Sequence, residues 1–151
     1  MCYSVQQVNV FDMIGVASVV CVTTNGVVKS NGCLVMGAGV AKDFATAYPD
    51  LPANLGKKVS THGNHVYLGA IVDNTCILSF PTKHDYRNKS DLNLIIASAK
   101  RLVKWANANN ITNPNSIYIP FPGIGHGGLD KQLVANSLVD ILDDRFVLCV
   151  K

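Results

Sequence analysis

The run Ile119-Pro120-Phe121-Pro122-Gly123-Ile124-Gly125-His126-Gly127-Gly128-Leu129-Asp130 sets the strongest constraint on how this chain can fold. A short β-branched and aromatic run, Ser116 to Phe121, precedes its glycines, and a helix-patterned run, Lys131 to Leu142, follows them. The pattern reads as a strand, a glycine turn and a helix start. Four glycines within the six residues 123–128 let the backbone turn tightly and approach a ligand closely. Such a turn leaves N–H groups and the positive end of a helix dipole facing outward, as an anion cradle requires. One glycine would be read as a sharp connection needing positive φ; four beside two prolines favour the cradle.

At 151 residues the chain fits one domain, 1–151, long enough to bury roughly two thirds of its unfolded surface. Apolar residues make up 48% and charged residues only 15%, which excludes disorder and predicts buried strands. The net charge of +3 tolerates a polyanionic partner without demonstrating one, and there is no basic run. Cys2, Cys21, Cys33, Cys76 and Cys149 are odd in number and scattered, so a reduced, cytoplasmic setting is expected. His62, His65, His84 and His126 have no zinc-ligand spacing with them, and neither metal nor cofactor is expected. The apolar run Ile14 to Val22 is too short for a bilayer, which needs about 20 residues. A monomer with no membrane association is expected.

Tyr3 to Val10 reads as a first strand, and Ala17 to Thr23 as a strand covered on both faces, ending at the turn Thr24-Asn25-Gly26. A second glycine loop, Gly32 to Gly39, leads into a helix with Val40, Ala41, Phe44, Ala45 and Tyr48 on one face, stopped by Pro49. Strand, glycine loop and helix start therefore occur twice. Leu51 to Lys58 is ambiguous between a short helix and a turn. Val66 to Val72 and Thr75 to Phe80 predict a hairpin around Asp73-Asn74. Ser90 is expected to cap a helix whose stripe is Leu92, Ile95, Ile96, Ala99, Leu102, Val103 and Ala106. Arg145 to Val150 closes the chain as a strand. The alternation predicts an α/β layered domain with a mixed sheet.

Gly123-x-Gly125-x-x-Gly128, with Asp143 downstream, matches the dinucleotide fingerprint in letters. Its context excludes that reading: a Rossmann turn follows the first strand and needs several βα units behind it, whereas here one helix and one strand remain.

Asn25, the loop Val35-Met36-Gly37-Ala38-Gly39-Val40-Ala41, the segment Phe80-Pro81-Thr82-Lys83 with Arg87, and the loop Pro122 to Asp130 together resemble the macrodomains. The resemblance is to the branch holding the terminal ADP-ribose protein glycohydrolase and the antitoxin macrodomain that strips ADP-ribose from DNA. It implies a three-layer α/β/α fold with a central mixed sheet, binding ADP-ribose in a cleft across the strand ends. It places Asn9 and Val10 at the adenine, with Asn9 standing where many macrodomains carry Asp. Val35, Met36, Gly37, Ala38, Gly39 and Val40 fall along the diphosphate and distal ribose, with Asn25 near that ribose. Pro122, Gly123, Ile124, Gly125, His126 and Gly127 close the other side. The usual Asn-Ala-Ala-Asn run is absent, since Thr23-Thr24 precedes Asn25.

Lys83 and Asp130 match that branch's catalytic pair. A lysine amine is ordinarily protonated at neutral pH, so it attacks only when a base takes its proton. The expected reaction is Lys83 attacking the anomeric C1″ of the distal ribose while Asp130 moves protons. The plain alternatives are a solvated loop lysine and a helix-capping aspartate. Asn25 reads equally as a turn residue, and Arg87 as a partner for phosphate, Asp85 or Asp91. His84 and His126 receive no catalytic role. The expected function is removal of ADP-ribose from a modified nucleic acid or protein carboxylate; the alternatives are an ADP-ribose-1″-phosphate phosphatase and a non-catalytic ADP-ribose reader.

Overall fold

The computed structural model describes residues 2–151. Six strands form one sheet: β1 (Ser4–Gln7), β2 (Val19–Thr24), β3 (Leu68–Val72), β4 (Thr75–Pro81), β5 (Ile117–Pro120) and β6 (Phe146–Val150). Their spatial order is β1-β6-β5-β2-β4-β3, with every neighbouring pair parallel except β3 with β4. The four helices are α1 (Gly39–Ala47), α2 (Leu51–His62), α3 (Leu92–Ala108) and α4 (Lys131–Leu138).

Period-two alternation along the buried strands divides the core into two layers. Val19 and Cys21 of β2, with Phe146 and Leu148 of β6, pack under α3 and α4 against Ile95, Leu102, Val134 and Leu138. Val20 and Val22, with Val147 and Cys149, face α1 and α2 through Phe44, Leu51, Leu55 and Val59. The expected α/β/α arrangement with a mixed sheet is the observed one. Among the described residues no helix is long and apolar enough to cross a membrane, and no group of three metal-ligating side chains occurs.

The expected hairpin forms, with Asp73 at φ 48° and Asn74 at φ 67°, as a two-residue turn of the right twist requires. Its β3 arm starts at Leu68, two residues later than expected, and its register slips between Leu68 and Ala70. The first strand is shorter than expected: Asn9 turns the chain, its side chain accepting from the Phe11 N–H at the head of a 3-10 turn, Val10–Met13. The last helix stops at Leu138, and Leu142 stays buried through one further turn in which its N–H donates to the Leu138 carbonyl at 3.0 Å.

Two readings need correction or completion. The stretch from Leu51 is a full helix to His62, four residues past the Lys58 limit. Its Gly56 sits where a Cβ would lie 2.1 Å from the Gly32 carbonyl oxygen, so the glycine there permits a helix-to-loop contact and does not break the helix. Ser90 is not the cap of α3. Asp91 is, its carboxylate accepting from the Asn93 N–H at 2.9 Å, because Ser90 is buried under the glycine loop with its own N–H on the Gly127 carbonyl at 2.9 Å.

Candidate functional site

Both glycine loops follow the C-terminal ends of parallel strands and open on one cleft of about 630 Å³, within the usual size range of small-molecule sites. Its wall takes Val8, Asn9 and Val10 from the end of β1, Thr23 to Asn25 from the end of β2, and the loop Val35 to Ala41. Opposite lie Pro120, Phe121 and Gly123 to Gly127, with Thr82, Lys83, Tyr86 and Ser90 at one end and Cys149 to Lys151 at the other. Lys83 and Lys151 contribute to this wall, and among the described residues no acidic side chain does.

The glycines divide into two kinds. A Cβ at Gly37, Gly39 or Gly125 would meet nothing within 4 Å, so protein packing does not require glycine there. A Cβ at Gly123 would lie 2.6 Å from Ile95 Cδ1, and one at Gly127 would lie 2.5 Å from Ser90 Oγ, so these two are packing glycines. Gly125 adopts φ 63°, a conformation glycine takes without strain. The loop's last amides are used internally: Gly127 N–H donates to Ile124, Gly128 to Gly125 and Leu129 to Gly123. At the other loop, Ala38 stands at the N-cap position of α1 and supplies no side-chain cap. Its first N–H groups therefore have no side-chain partner, and Gly37, Ala38 and Gly39 line the cleft beside them, an arrangement in which a helix start receives a phosphate.

Of the residues expected at the site, Asn9, Val10, Asn25, Val35, Met36, Gly37, Ala38, Gly39, Val40, Lys83, Gly123, Ile124, Gly125, His126 and Gly127 line the cleft. Pro122 is buried behind it and Asp130 stands outside it, exposed. Asp130 caps α4, its Oδ2 accepting from the Leu133 N–H at 3.0 Å. Asn25 is buried and braces the first loop: Nδ2 donates to the Val35 carbonyl at 3.0 Å and Oδ1 accepts from the Val27 N–H at 2.9 Å. One amide donor remains for a ligand.

Lys83 is half-buried, on a backbone held from several directions. Thr82 N–H donates to the Thr24 carbonyl at 3.0 Å, Gly26 N–H to the His84 carbonyl at 3.1 Å, and Asn64 Nδ2 to the Lys83 carbonyl at 3.0 Å. Asn64 escaped the sequence reading because nothing local to Gly63-Asn64 points to Lys83. Arg87 pairs with Asp85, through 2.9 and 2.6 Å bonds, and His84 takes Asp91 at 2.8 Å. The Arg87 guanidinium holds the Asp85 carboxyl down to about 2. Two further wall residues were also unmarked: Thr24 and Ser90 bury hydroxyls that no protein group satisfies. A buried hydroxyl without a partner is costly, and a sugar or water in the cleft is the kind of group that would relieve it. Cys149, in contrast, is an inert part of the wall, since burial pushes its thiol up to about 12.

No sequence-family profile matches the chain. Proteins named DNA ADP-ribosyl glycohydrolase, from Mycobacterium bovis and Mycobacterium tuberculosis, are 31% identical over 123 residues, which is 77% of this chain. The chain spans about a third of the length of these curated relatives, 34%. Among solved structures, the macrodomain of Mycobacterium tuberculosis DarG superimposes with a TM-score of 0.78 at 23% identity, covering 99% of this chain and 97% of its own. Thermosipho africanus DarTG in complex with ADP-ribose gives 0.79 at 23% identity, covering all of this chain and 42% of that one. With its sheet order, its cleft and these relatives agreeing, the chain is a macrodomain in fold, related in sequence to the DNA ADP-ribosyl glycohydrolases.

Proposed function

We propose that this cleft binds ADP-ribose and that the protein removes it from DNA by cleaving the bond at C1″ of the distal ribose. The observation that carries the reading is the meeting, in one wall without acidic side chains, of an uncapped helix start, bare glycine backbone and the half-buried Lys83. A diphosphate suits the first two. Thr24 and Ser90 offer hydroxyls beside Lys83 for the sugar that follows.

In the chemical step the unprotonated Lys83 amine attacks C1″, forming a C–N bond as the bond from C1″ to the base breaks, and the departing base takes a proton. Water then adds at C1″ and releases the lysine and free ADP-ribose. Asp130 is the carboxylate assigned to the proton transfers, at the end of the loop whose residues 123–127 share the wall with Lys83. The cradle supplies orientation, and the lysine supplies a nucleophile that splits one hard step into two.

The test is turnover of an ADP-ribosylated oligonucleotide together with calorimetry of ADP-ribose. Lys83→Ala should lower turnover at least a hundredfold and keep ADP-ribose affinity within threefold; unchanged turnover would discard Lys83 as the nucleophile. Asp130 needs a variant that keeps its cap, so Asp130→Asn is the informative change, expected to spare the melting temperature and slow turnover. One observation favours a second reading, an ADP-ribose reader without turnover: Asp130 already has a structural task and stands outside the wall. Binding of ADP-ribose with no release from oligonucleotide, acylated protein or the 1″-phosphate ester would select it.

A further inference from the structure

Tyr86 is the aromatic of the cleft wall with an exposed ring: it is 46% exposed, whereas Phe121 is 7% exposed. It lies three residues past Lys83 and lines the same cleft, which puts it within reach of a group attached to C1″ if Lys83 attacks there. The loop that carries it is braced throughout. Gly26 N–H holds the His84 carbonyl, His84 Nε2 meets Asp91 Oδ2 at 2.8 Å, and the Asp85 carboxylate accepts from the Arg87 N–H at 2.9 Å. Asn88 N–H closes the turn on the Asp85 carbonyl at 3.1 Å. The Arg87 guanidinium lies over the Tyr86 ring, 5.3 Å from its centroid, and is itself locked to Asp85 by two bonds.

That lock decides what Arg87 does. A guanidinium already paired with a carboxylate has little charge left for a phosphate, but as a flat cation over one ring face it fixes the ring's tilt. A rigid aromatic with an open side, at the exit of a sugar site, is suited to stacking on a planar group at low entropic cost. We propose that Tyr86, backed by Arg87 and Asp85, is the stacking platform for a nucleobase at the leaving side of the cleft. It thereby makes the loop 83–90 select base-linked over carboxylate-linked ADP-ribose. The proposal rests on the hydrolase reading above and adds to it a specificity-determining residue.

The experiment compares wild type, Tyr86→Ala and Tyr86→Trp on two substrates: a single-stranded oligonucleotide ADP-ribosylated on a base, and a peptide carrying ADP-ribose as a glutamate ester. Stacking on an aromatic ring is commonly worth about tenfold or more per base. Tyr86→Ala should therefore reduce kcat/KM on the oligonucleotide by about tenfold or more, mainly through KM, and lower the oligonucleotide-to-ester ratio by a similar factor. Tyr86→Trp should restore both. Equal losses on the two substrates, or no loss on the oligonucleotide, would overturn the proposal and leave the hydrolase reading standing. Wild-type preference for the ester would also overturn it. If wild type binds ADP-ribose but turns over neither substrate, the hydrolase reading fails. Stacking is then decided by the affinity of the intact ADP-ribosylated oligonucleotide, which Tyr86→Ala must weaken relative to that of free ADP-ribose.

Discussion

Gly37 and Gly56 carry the same side chain for opposite reasons. At Gly37 a Cβ would meet nothing within 4 Å, and the position lines the cleft. A larger residue there is therefore aimed at the ligand: Gly37→Leu should leave the melting temperature within about 2 °C and weaken ADP-ribose binding at least tenfold by calorimetry. At Gly56 a Cβ would lie 2.1 Å from the Gly32 carbonyl oxygen and 2.7 Å from the Leu34 nitrogen. Neither is the tip of a flexible side chain, so backbone must shift. Gly56→Ala is expected to cost roughly 3 kcal/mol in chemical denaturation. The sequence marked the 123–128 stretch as glycine-rich but not which glycine serves which purpose, because that depends on partners distant in the chain, Ile95 for Gly123 and Ser90 for Gly127.

Among the elements, helix starts separate local from tertiary causes. Asp91 and Ser90 are both good capping residues, and sequence alone does not rank them. The ranking comes from the glycine loop, whose Gly127 carbonyl takes the Ser90 N–H and draws Ser90 under cover. Asp91→Ala should accordingly cost about 1 kcal/mol, while Ser90→Ala should cost little or nothing in the absence of ligand, since its hydroxyl has no partner there; urea melts of the two variants check this. The hairpin was legible because Asp73-Asn74 is a strong local signal, and the buried strands because continuous apolar runs admit few other structures. The helix α2 was not, since its glycine and lysines blur the apolar stripe, and only the Gly32–Leu34 loop crossing explains the glycine, while Lys58 reaches the Leu68 carbonyl. At the site, the loops were readable from their glycines and their order along the chain, and Lys83 only through the resemblance to the macrodomains. Asn64, Thr24 and the buried side of Ser90 were not, because their parts in the cleft exist only once distant segments meet.

At the scale of the whole molecule, Arg145 ties the last strand to the opposite end of α3. Its guanidinium, 11% exposed, donates to Asn107 Oδ1, to the Ile111 carbonyl and twice to Asp143. Hydrogen bonding from Arg145 holds the Asp143 carboxyl below its usual range. A carboxyl lowered on folding stabilises the protein fully above its unfolded value near 3.8 and loses that contribution as pH falls through the lower folded value. Stability at pH 5 should therefore match that at pH 7 for this pair and decline below about pH 4. Arg145→Ala should remove roughly 2 kcal/mol and flatten that acidic decline, as thermal melts across pH would register. The lack of acidic side chains in the cleft wall has its own outcome at this scale. A nucleotide approaching that opening meets lysine side chains and no acidic side chain in the wall itself, so dissolved ions weaken its capture. Raising sodium chloride tenfold should lower the association rate for ADP-ribose while leaving that of uncharged adenosine nearly unaltered.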